Sequence, residues 1–172
     1  MQEIRGTAAS AGLALGPAKL LPRRVAGQSR AVLDPARERQ LLDDALDLAR
    51  REISALGTRA AAADRAIFTF QVEVLADQGL IVEIRRYIEA GAGAAAAVER
   101  AAGIYAAKMR SIPDEYLAQR AGDILDACRR VVDILDGRPR TPFAVAEPCV
   151  LIADELLPSD IVSLDREKVL GI

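Results

Sequence analysis

The chain has 172 residues, enough for one domain or one and a half, and a net charge of −2. Hydrophobic residues make up 51% of the chain but aromatic residues only 3%, which predicts an aliphatic core and favours packed helices. No basic stripe with interleaved aromatic residues is present, which argues against a nucleic-acid partner. The longest apolar run falls well short of about 18 residues, so we expect no membrane insertion.

The N-terminal sequence MQEIRGTAAS has neither the basic region nor the apolar region of a signal peptide, and we expect a cytoplasmic protein. Short apolar segments at 13–15 and 18–21 are separated by Gly and Pro residues, a pattern typical of strands and tight turns. The beginning of the chain is therefore predicted to supply strands to a small sheet.

Between residues 34 and 137 the apolar residues recur at intervals of three and four, which predicts helices. Asp34 and Pro35 fit the N-cap and the first position of the first helix, and Gly57 is expected to end it. A second helical segment is expected to end before Gly79. The predicted segments after the first helix are 59–76, 81–88, 94–109 and 113–137.

Two short apolar runs near the end of the chain, 150–153 and 168–172, predict buried strands. The segment 158–164 between them predicts a short helix, for which Ser159 is a plausible N-cap. Strands from both ends of the chain are expected to pair with one another, with antiparallel helices between them in the sequence.

These elements together predict a mainly α chain, in which an antiparallel helical bundle is inserted into a partial α/β domain. The predicted α/β part comprises 1–22 and 148–172, and the predicted helical part comprises 30–138. The segments 23–29 and 139–147 are the predicted linkers. A paired linker of this kind would permit rigid-body swivelling of one part against the other.

Cys128 and Cys149 fall in a predicted helix and a predicted strand, where buried cysteines are expected to be small hydrophobes rather than a disulfide. The chain contains no His, and two Cys without His do not make a zinc site. The sequence therefore suggests no cofactor for this chain.

Three blocks of sequence carry a resemblance to one family. They are GTAASAGLALG at 6–16, ADRAIFTFQVEVLADQGLIVEIRRYI at 63–88, and the stretch 113–171, which includes DEYLAQRAGDILDACRRVVDIL. The blocks span most of the chain and occur in the family's order. The chain resembles the N-terminal part of phosphoenolpyruvate–protein phosphotransferases (Enzyme I of the bacterial sugar phosphotransferase system). Related multiphosphoryl transfer proteins fuse the same part to other domains.

The resemblance implies that the α/β part is a phosphohistidine (swivelling) domain and that the helical part binds the phosphocarrier HPr. In this family a His takes the phosphoryl group from phosphoenolpyruvate and passes it to a His of HPr, for sugar uptake. Because this chain has no His, no catalytic residue is expected in it, and the chain alone is expected to be inactive. The accepting His would then follow Ile172.

The resemblance also implies features of the parent protein that this chain does not carry. In the family a C-terminal TIM barrel binds phosphoenolpyruvate, Mg²⁺ and the dimer partner. We therefore expect Mg²⁺ and a dimer for the parent protein, and a monomer for this chain.

The resemblance places the carrier-binding surface around the elbow after the second predicted helix. In the family this surface has an apolar centre and an acidic rim, but Ala76, Gln78 and Gly79 stand here where the family often has acids, which should slow association. Phe70 and Val74 could instead be core residues, because periodicity does not separate the two roles. The candidate carrier-binding residues are Phe70, Glu73, Val74, Asp77, Leu80 and Arg120.

The Leu-Pro-Ser corner at 157–159 matches the start of a helix near the family's active site, so Ser159 either caps that helix or contacts phosphate. The nearby acids Asp154, Glu155 and Asp160 are more typical of capping or solvated residues than of a metal site. The alternative function is a non-catalytic helical interaction module that retained the docking surface. A helical bundle with chance similarity to the family is a third interpretation.

Overall fold

The computed structural model describes residues 11–21, 32–138, 145–153 and 156–172. The predicted linker 23–29, most of the predicted linker 139–147, and the acids Asp154 and Glu155 lie outside these ranges. The elements in chain order are β1 (Ala18–Leu20), α1 (Pro35–Arg59), α2 (Arg65–Ala76), α3 (Gln78–Glu89), α4 (Ala94–Arg110), α5 (Glu115–Leu135), β2 (Cys149–Ile152), α6 (Pro158–Ser163) and β3 (Val169–Gly171).

Helix α1 begins as the sequence predicts. The Asp34 carboxylate accepts a hydrogen bond from the Arg37 N–H (3.1 Å), and Pro35 occupies the first turn, where an N–H has no partner inside the helix. The predicted end at Gly57 is wrong, because the helix continues to Arg59. A Cβ placed on Gly57 would lie 3.1 Å from the Cβ of Phe68, so this glycine serves a close approach of α2 to α1.

Two other helix starts differ from the prediction. Helix α2 begins at Arg65 rather than at 59, because residues 60–64 turn the chain so that α2 packs against α1. Helix α3 begins at Gln78, because Asp77 rather than Gly79 separates it from α2. The spans of α4, α5 and α6 lie within two residues of the predicted ones.

One apolar core lies between helices α1 to α5. Its most extensive packing is between α4 and α5, where small buried alanines of α4 let the helices approach. The N-terminus of α4 is held by α1, since the buried Glu38 carboxylate accepts hydrogen bonds from the N–H groups of Ala94 and Leu33 (2.8 Å each). The core is therefore mainly aliphatic, as the composition predicts. The buried Glu38 carboxylate connects α1 to the start of α4 by hydrogen bonds.

The described strands form a parallel sheet in the order β1-β2-β3. Ala18 pairs with Val150 and Leu20 with Ile152, which confirms that strands from the two ends of the chain pair. Residues 13–15, which the sequence predicts as a strand, are exposed and lie outside the sheet. The chain is thus mainly helical with a small sheet, and its division into an inserted bundle and a host domain stays a prediction.

Cys128 and Cys149 are both buried and free, as predicted. Burial raises the pKa of the Cys128 thiol to about 12, which keeps it protonated near neutral pH. Among the described helices, none combines the length and the apolar character needed to cross a membrane.

Candidate functional site

The elbow between α2 and α3 is built by Asp77. This residue has extended backbone angles, and its N–H donates to the Val74 carbonyl (3.2 Å) at the end of α2. Its carboxylate accepts a hydrogen bond from the Leu80 N–H (2.7 Å) and so caps α3. Asp77 is exposed. The elbow therefore holds a carboxylate in a defined position at the surface.

Four of the six predicted carrier-binding residues lie together on the second half of α2 and at this elbow. Glu73 and Asp77 are exposed, whereas Phe70 and Val74 are half-buried and pack against the edge of the core. Phe70 and Val74 thus combine the two roles that the sequence left open, since each contacts the core and keeps exposed surface. Two half-buried apolar side chains thus alternate with two exposed acids along α2 and the elbow.

Leu80 does not belong to this surface. Its side chain is 0% exposed and lies in the core. A side chain without exposed surface cannot contact a partner, so the prediction of Leu80 as a carrier-binding residue needs correction. The four-residue spacing of Leu80, Ile84 and Ile88 marks the buried stripe of α3. Leu80 packs in the core directly below the elbow, and its N–H bonds to the Asp77 carboxylate.

Arg120 on α5 meets this surface through aromatic rings. Its guanidinium carbon lies 5.3 Å from the centroid of the Phe70 ring and 4.8 Å from that of the Tyr116 ring. Its Nη2 donates to the Tyr116 hydroxyl (2.6 Å) and its Nη1 to the Asp123 carboxylate (2.9 Å). The Arg120 side chain is only 16% exposed. Its main effect is to hold the two rings in place.

Burial and hydrogen bonding set the ionisation of this cluster. Burial raises the pKa of the Asp123 carboxyl, and the hydrogen bond from Arg120 opposes that rise. Hydrogen bonds to Tyr116 and then to Asp123 raise the pKa of Arg120. The Arg120 charge therefore compensates a carboxylate whose charged form is disfavoured by burial.

Two exposed side chains next to the predicted residues were missed by the sequence reasoning. Tyr116 is 61% exposed on the first turn of α5, and Val82 is 62% exposed on α3, just beyond the elbow. For Tyr116 the available signal was its four-residue spacing from Arg120, which brings two side chains together on a helix. For Val82 the signal was its position off the buried stripe of α3.

The elbow is closely packed against α4. A Cβ placed on Gly79 would lie 2.9 Å from the Tyr105 hydroxyl oxygen, so α3 approaches α4 at this glycine. Burial, and then the charge of Asp77, raise the pKa of Tyr105. A larger side chain at position 79 would have to displace the Tyr105 side chain.

A buried polar junction lies where α2, α5 and α6 meet. The Asp126 carboxylate accepts hydrogen bonds from Gln71 Nε2 (3.0 Å), the Ser159 N–H (3.2 Å) and the Ser159 hydroxyl (2.8 Å). Ser159 is therefore not the N-cap of α6, a position that Leu157 occupies. Because Asp126 already accepts from its N–H and hydroxyl, Ser159 has these donors engaged inside the protein, which weakens the phosphate-contact alternative.

Over the described parts of the chain, no three His, Cys, Asp or Glu side chains are grouped to hold a metal ion. With no His in the sequence, no imidazole of this chain can accept a phosphoryl group. The elbow region instead offers apolar contact, carboxylates and an aromatic edge. We call the surface of Phe70, Glu73, Val74, Asp77 and Tyr116, with Arg120 against the two rings, the docking surface.

Residues 5–120 match the family described as PEP-utilising enzyme, N-terminal. The chain belongs to this family, and the match excludes the interpretation of chance similarity. The resemblance that the three sequence blocks carry is thereby confirmed.

The chain is similar to two kinds of curated protein along almost all of its length. Against the phosphoenolpyruvate-protein phosphotransferase of Bacillus subtilis (strain 168) it is 29% identical, covering 99% of this chain and 31% of that protein. Against the multiphosphoryl transfer protein of Xanthomonas campestris pv. campestris it is 34% identical, covering 98% of this chain and 21% of that protein. The chain thus spans about a third or less of these relatives.

Two solved structures share its fold. A solution structure of Enzyme I superimposes with a TM-score of 0.74 at 28% identity and covers 95% of this chain and 69% of that one. An N-terminal domain of Enzyme 1 - Nitrogen gives a TM-score of 0.65 at 28% identity and covers 91% and 67%. The mainly helical chain with its small sheet therefore has the architecture of an Enzyme I N-terminal domain.

Proposed function

We propose that this chain is the N-terminal part of a phosphoenolpyruvate–protein phosphotransferase and that it docks an HPr-like phosphocarrier for His-to-His phosphoryl transfer. The docking surface carries this proposal. Its half-buried apolar residues Phe70 and Val74 alternate along α2 and the elbow with the exposed acids Glu73 and Asp77. Membership of the family and the likeness to Enzyme I N-terminal domains support the proposal.

The chemistry of the docking surface suits a small basic protein. Buried apolar and aromatic side chains near the centre of an interface supply most of the binding free energy, and a polar rim excludes water from them. Carboxylates at the rim steer a positively charged partner. Since Ala76 and Gln78 add no acid at the elbow, we expect modest affinity and a weak salt dependence. A carrier domain tethered in the same polypeptide would offset this through its effective concentration.

We infer that the helical part, 30–138, is the carrier-binding subdomain. It would be inserted into a swivelling phosphohistidine domain formed by 1–22 and 148–172, with linkers at 23–29 and 139–147. The parallel pairing of β1 with β2 supports this arrangement, because these strands flank helices α1 to α5 in the chain.

The parent protein would be a phosphotransferase that uses phosphoenolpyruvate and Mg²⁺ for sugar uptake in the cytoplasm, and a dimer through its C-terminal half. The phosphoryl-accepting His would lie in the parent outside this chain, since this chain has none. This chain alone would be a monomer without transfer activity. A non-catalytic module that retained the docking surface is the alternative, and it predicts carrier binding without phosphoryl transfer by the whole parent protein.

Calorimetric titration of the chain with an HPr-like carrier, at low and at high salt, tests the proposal. We expect saturable binding that a Glu73→Lys substitution weakens about threefold to tenfold at low salt, because a rim charge is reversed. Glu167→Lys is the matched control. It makes the same charge change at an exposed position before β3, a strand that pairs with β2.

Three outcomes of this titration are informative. Weakening by Glu73→Lys together with unchanged binding by Glu167→Lys supports docking through this surface. Equal weakening by both variants means that only net charge matters, and it contradicts the site. Absence of binding by the unmodified chain contradicts the docking function itself.

A further inference from the structure

Asp126 is a buried carboxylate that joins three helices. It belongs to α5 and is 4% exposed. Its Oδ2 accepts from Gln71 of α2 and from the Ser159 N–H of α6, at 3.0 Å and 3.2 Å. Its Oδ1 accepts from the Ser159 hydroxyl at 2.8 Å. Gln71 and Ser159 are themselves almost fully buried, 1% and 7% exposed. The three hydrogen bonds thus connect three buried polar residues inside the protein.

Such a group fixes orientation more strongly than apolar contact does. Apolar packing is non-directional, whereas a hydrogen bond weakens steeply when its angle changes. A buried carboxylate also loses most when a donor is withdrawn, because no water replaces the donor. Val162 of α6 adds an apolar contact with the helical core. The hydrogen bonds to Asp126 therefore hold the direction in which α6 leaves the helices.

The positions of the two donors connect the docking surface to the sheet. Gln71 follows Phe70 on α2 and lies one turn before Val74. Ser159 lies on the first turn of α6, which follows β2 in the chain. We propose that Asp126 is a positioning residue that fixes α6 and the sheet relative to the docking surface. The part of this inference that concerns docking rests on the proposed function.

Residual dipolar couplings of the intact 172-residue chain, measured without any carrier, test the positioning role. Ser159→Ala removes the hydroxyl bond and leaves the backbone N–H bond, so this variant is expected to fold. Asp126→Leu keeps a similar size and removes both acceptor oxygens, so all three donors lose their acceptor. Ser163→Ala is the matched control, because its hydroxyl bonds only to the Ser159 carbonyl (2.7 Å) within α6.

In Ser159→Ala and Asp126→Leu, we expect the couplings of helices α1 to α5 to fit the present structure as one group. The couplings of α6, β2 and β3 should fit it as a second group. A joint fit of the two groups should fail, because their relative orientation has changed. Exchange of the residue 159 amide hydrogen should become about fivefold to tenfold faster in Ser159→Ala. Ser163→Ala should satisfy the joint fit.

If Asp126 only stabilises the fold, Ser159→Ala lowers the stability, but the couplings of α1 to α5 and those of α6, β2 and β3 still satisfy one joint fit. That result overturns the proposal. The same variant is then titrated with an HPr-like carrier. Unchanged affinity together with changed orientation supports positioning, because α2 is intact. Failure of the unmodified chain to bind the carrier contradicts the proposed function alone, since the orientation measurement contains no carrier.

Discussion

The guanidinium of Arg120 lies over the ring of Phe70, with 5.3 Å between the guanidinium carbon and the ring centroid. A charged side chain of α5 thus stabilises an apolar side chain of α2 at the surface that we propose docks a carrier. Arg120 also bonds to Asp123 and Tyr116, so its charge is engaged within the protein. Its role at the surface is therefore to order the aromatic rings.

Replacing Arg120 by Met should lower the free energy of unfolding by about 1–3 kcal/mol, because a largely buried carboxylate loses its partner. Urea denaturation measures this change. In an Asp123→Asn background the same replacement should cost less, because no carboxylate is then left unpaired. An equal cost in both backgrounds would contradict the coupling between Arg120 and Asp123.

The cost of Arg120→Met should also depend on pH. Burial raises the pKa of Asp123 in the folded state, so folding favours its protonated form, and stability falls as pH rises through the folded pKa. Arg120 opposes this loss. Removing Arg120 should therefore cost least in acid, where Asp123 is protonated, and more as pH rises. Denaturation curves of both proteins from acid to neutral pH measure this pH dependence. A loss of stability in Arg120→Met that becomes smaller as pH rises would contradict the prediction.

Leu80 and Glu73 should respond to substitution in opposite ways. Leu80→Ala should lower the free energy of unfolding by about 2–5 kcal/mol, because it empties a position in the core. Glu73→Lys should change stability by no more than about 0.5 kcal/mol, since Glu73 is exposed. Thermal unfolding of both variants measures these two changes in stability. A stable Leu80→Ala variant that has lost carrier binding would restore Leu80 to the docking surface.

Substitutions at two glycines inside helices, Gly57 and Gly103, should have opposite effects on stability. A Cβ on Gly57 would lie 3.1 Å from the Phe68 Cβ, so Gly57→Val should destabilise by about 1–3 kcal/mol through overpacking. A Cβ on Gly103 would meet nothing within 4 Å, so Gly103→Ala should stabilise by about 0.4–1 kcal/mol. Chemical denaturation compares the two, and a neutral Gly57→Val variant would disprove the close approach of α1 and α2.

Glu83 should titrate well below an ordinary glutamate. Hydrogen bonds from Arg86 (2.6 and 3.0 Å), and then from Tyr87, hold the pKa of Glu83 at about 2, against an ordinary 4.5. This depressed pKa contributes stability above pH 4.5 that is lost as pH falls toward 2. Carboxyl ¹³C NMR titration measures the pKa directly. In Arg86→Gln the midpoint should move toward 4.5, and an unmoved midpoint would assign the shift to another cause.

Local patterns in the sequence account for most of the helices. The spacing of Ala97, Val98 and Ala101 predicts α4, and Asp34 with Pro35 predicts the start of α1. Both signals act within a few residues along the chain, so they are readable without knowledge of the tertiary structure. The pairing of β1 with β2 was also accessible, because short apolar runs stand at both ends of the chain.

Features that depend on contacts distant in the sequence were not accessible in the same way. Gly57 has the sequence signature of a helix end, and only its distance from Phe68 shows that it serves helix packing. Asp126 and Ser159 are 33 residues apart, and no periodicity links them. Leu80 is a different case, because its helical spacing with Ile84 indicated the core, while the family resemblance pointed to the surface.

The central claim, that the docking surface binds an HPr-like carrier, is tested most directly by ¹⁵N NMR of the labelled chain titrated with unlabelled carrier. The account predicts saturable shift changes clustered on α2, at the Asp77 elbow and around Tyr116, with β3 unaffected. Absence of shift changes in residues 63–90, or changes confined to the sheet, would contradict it.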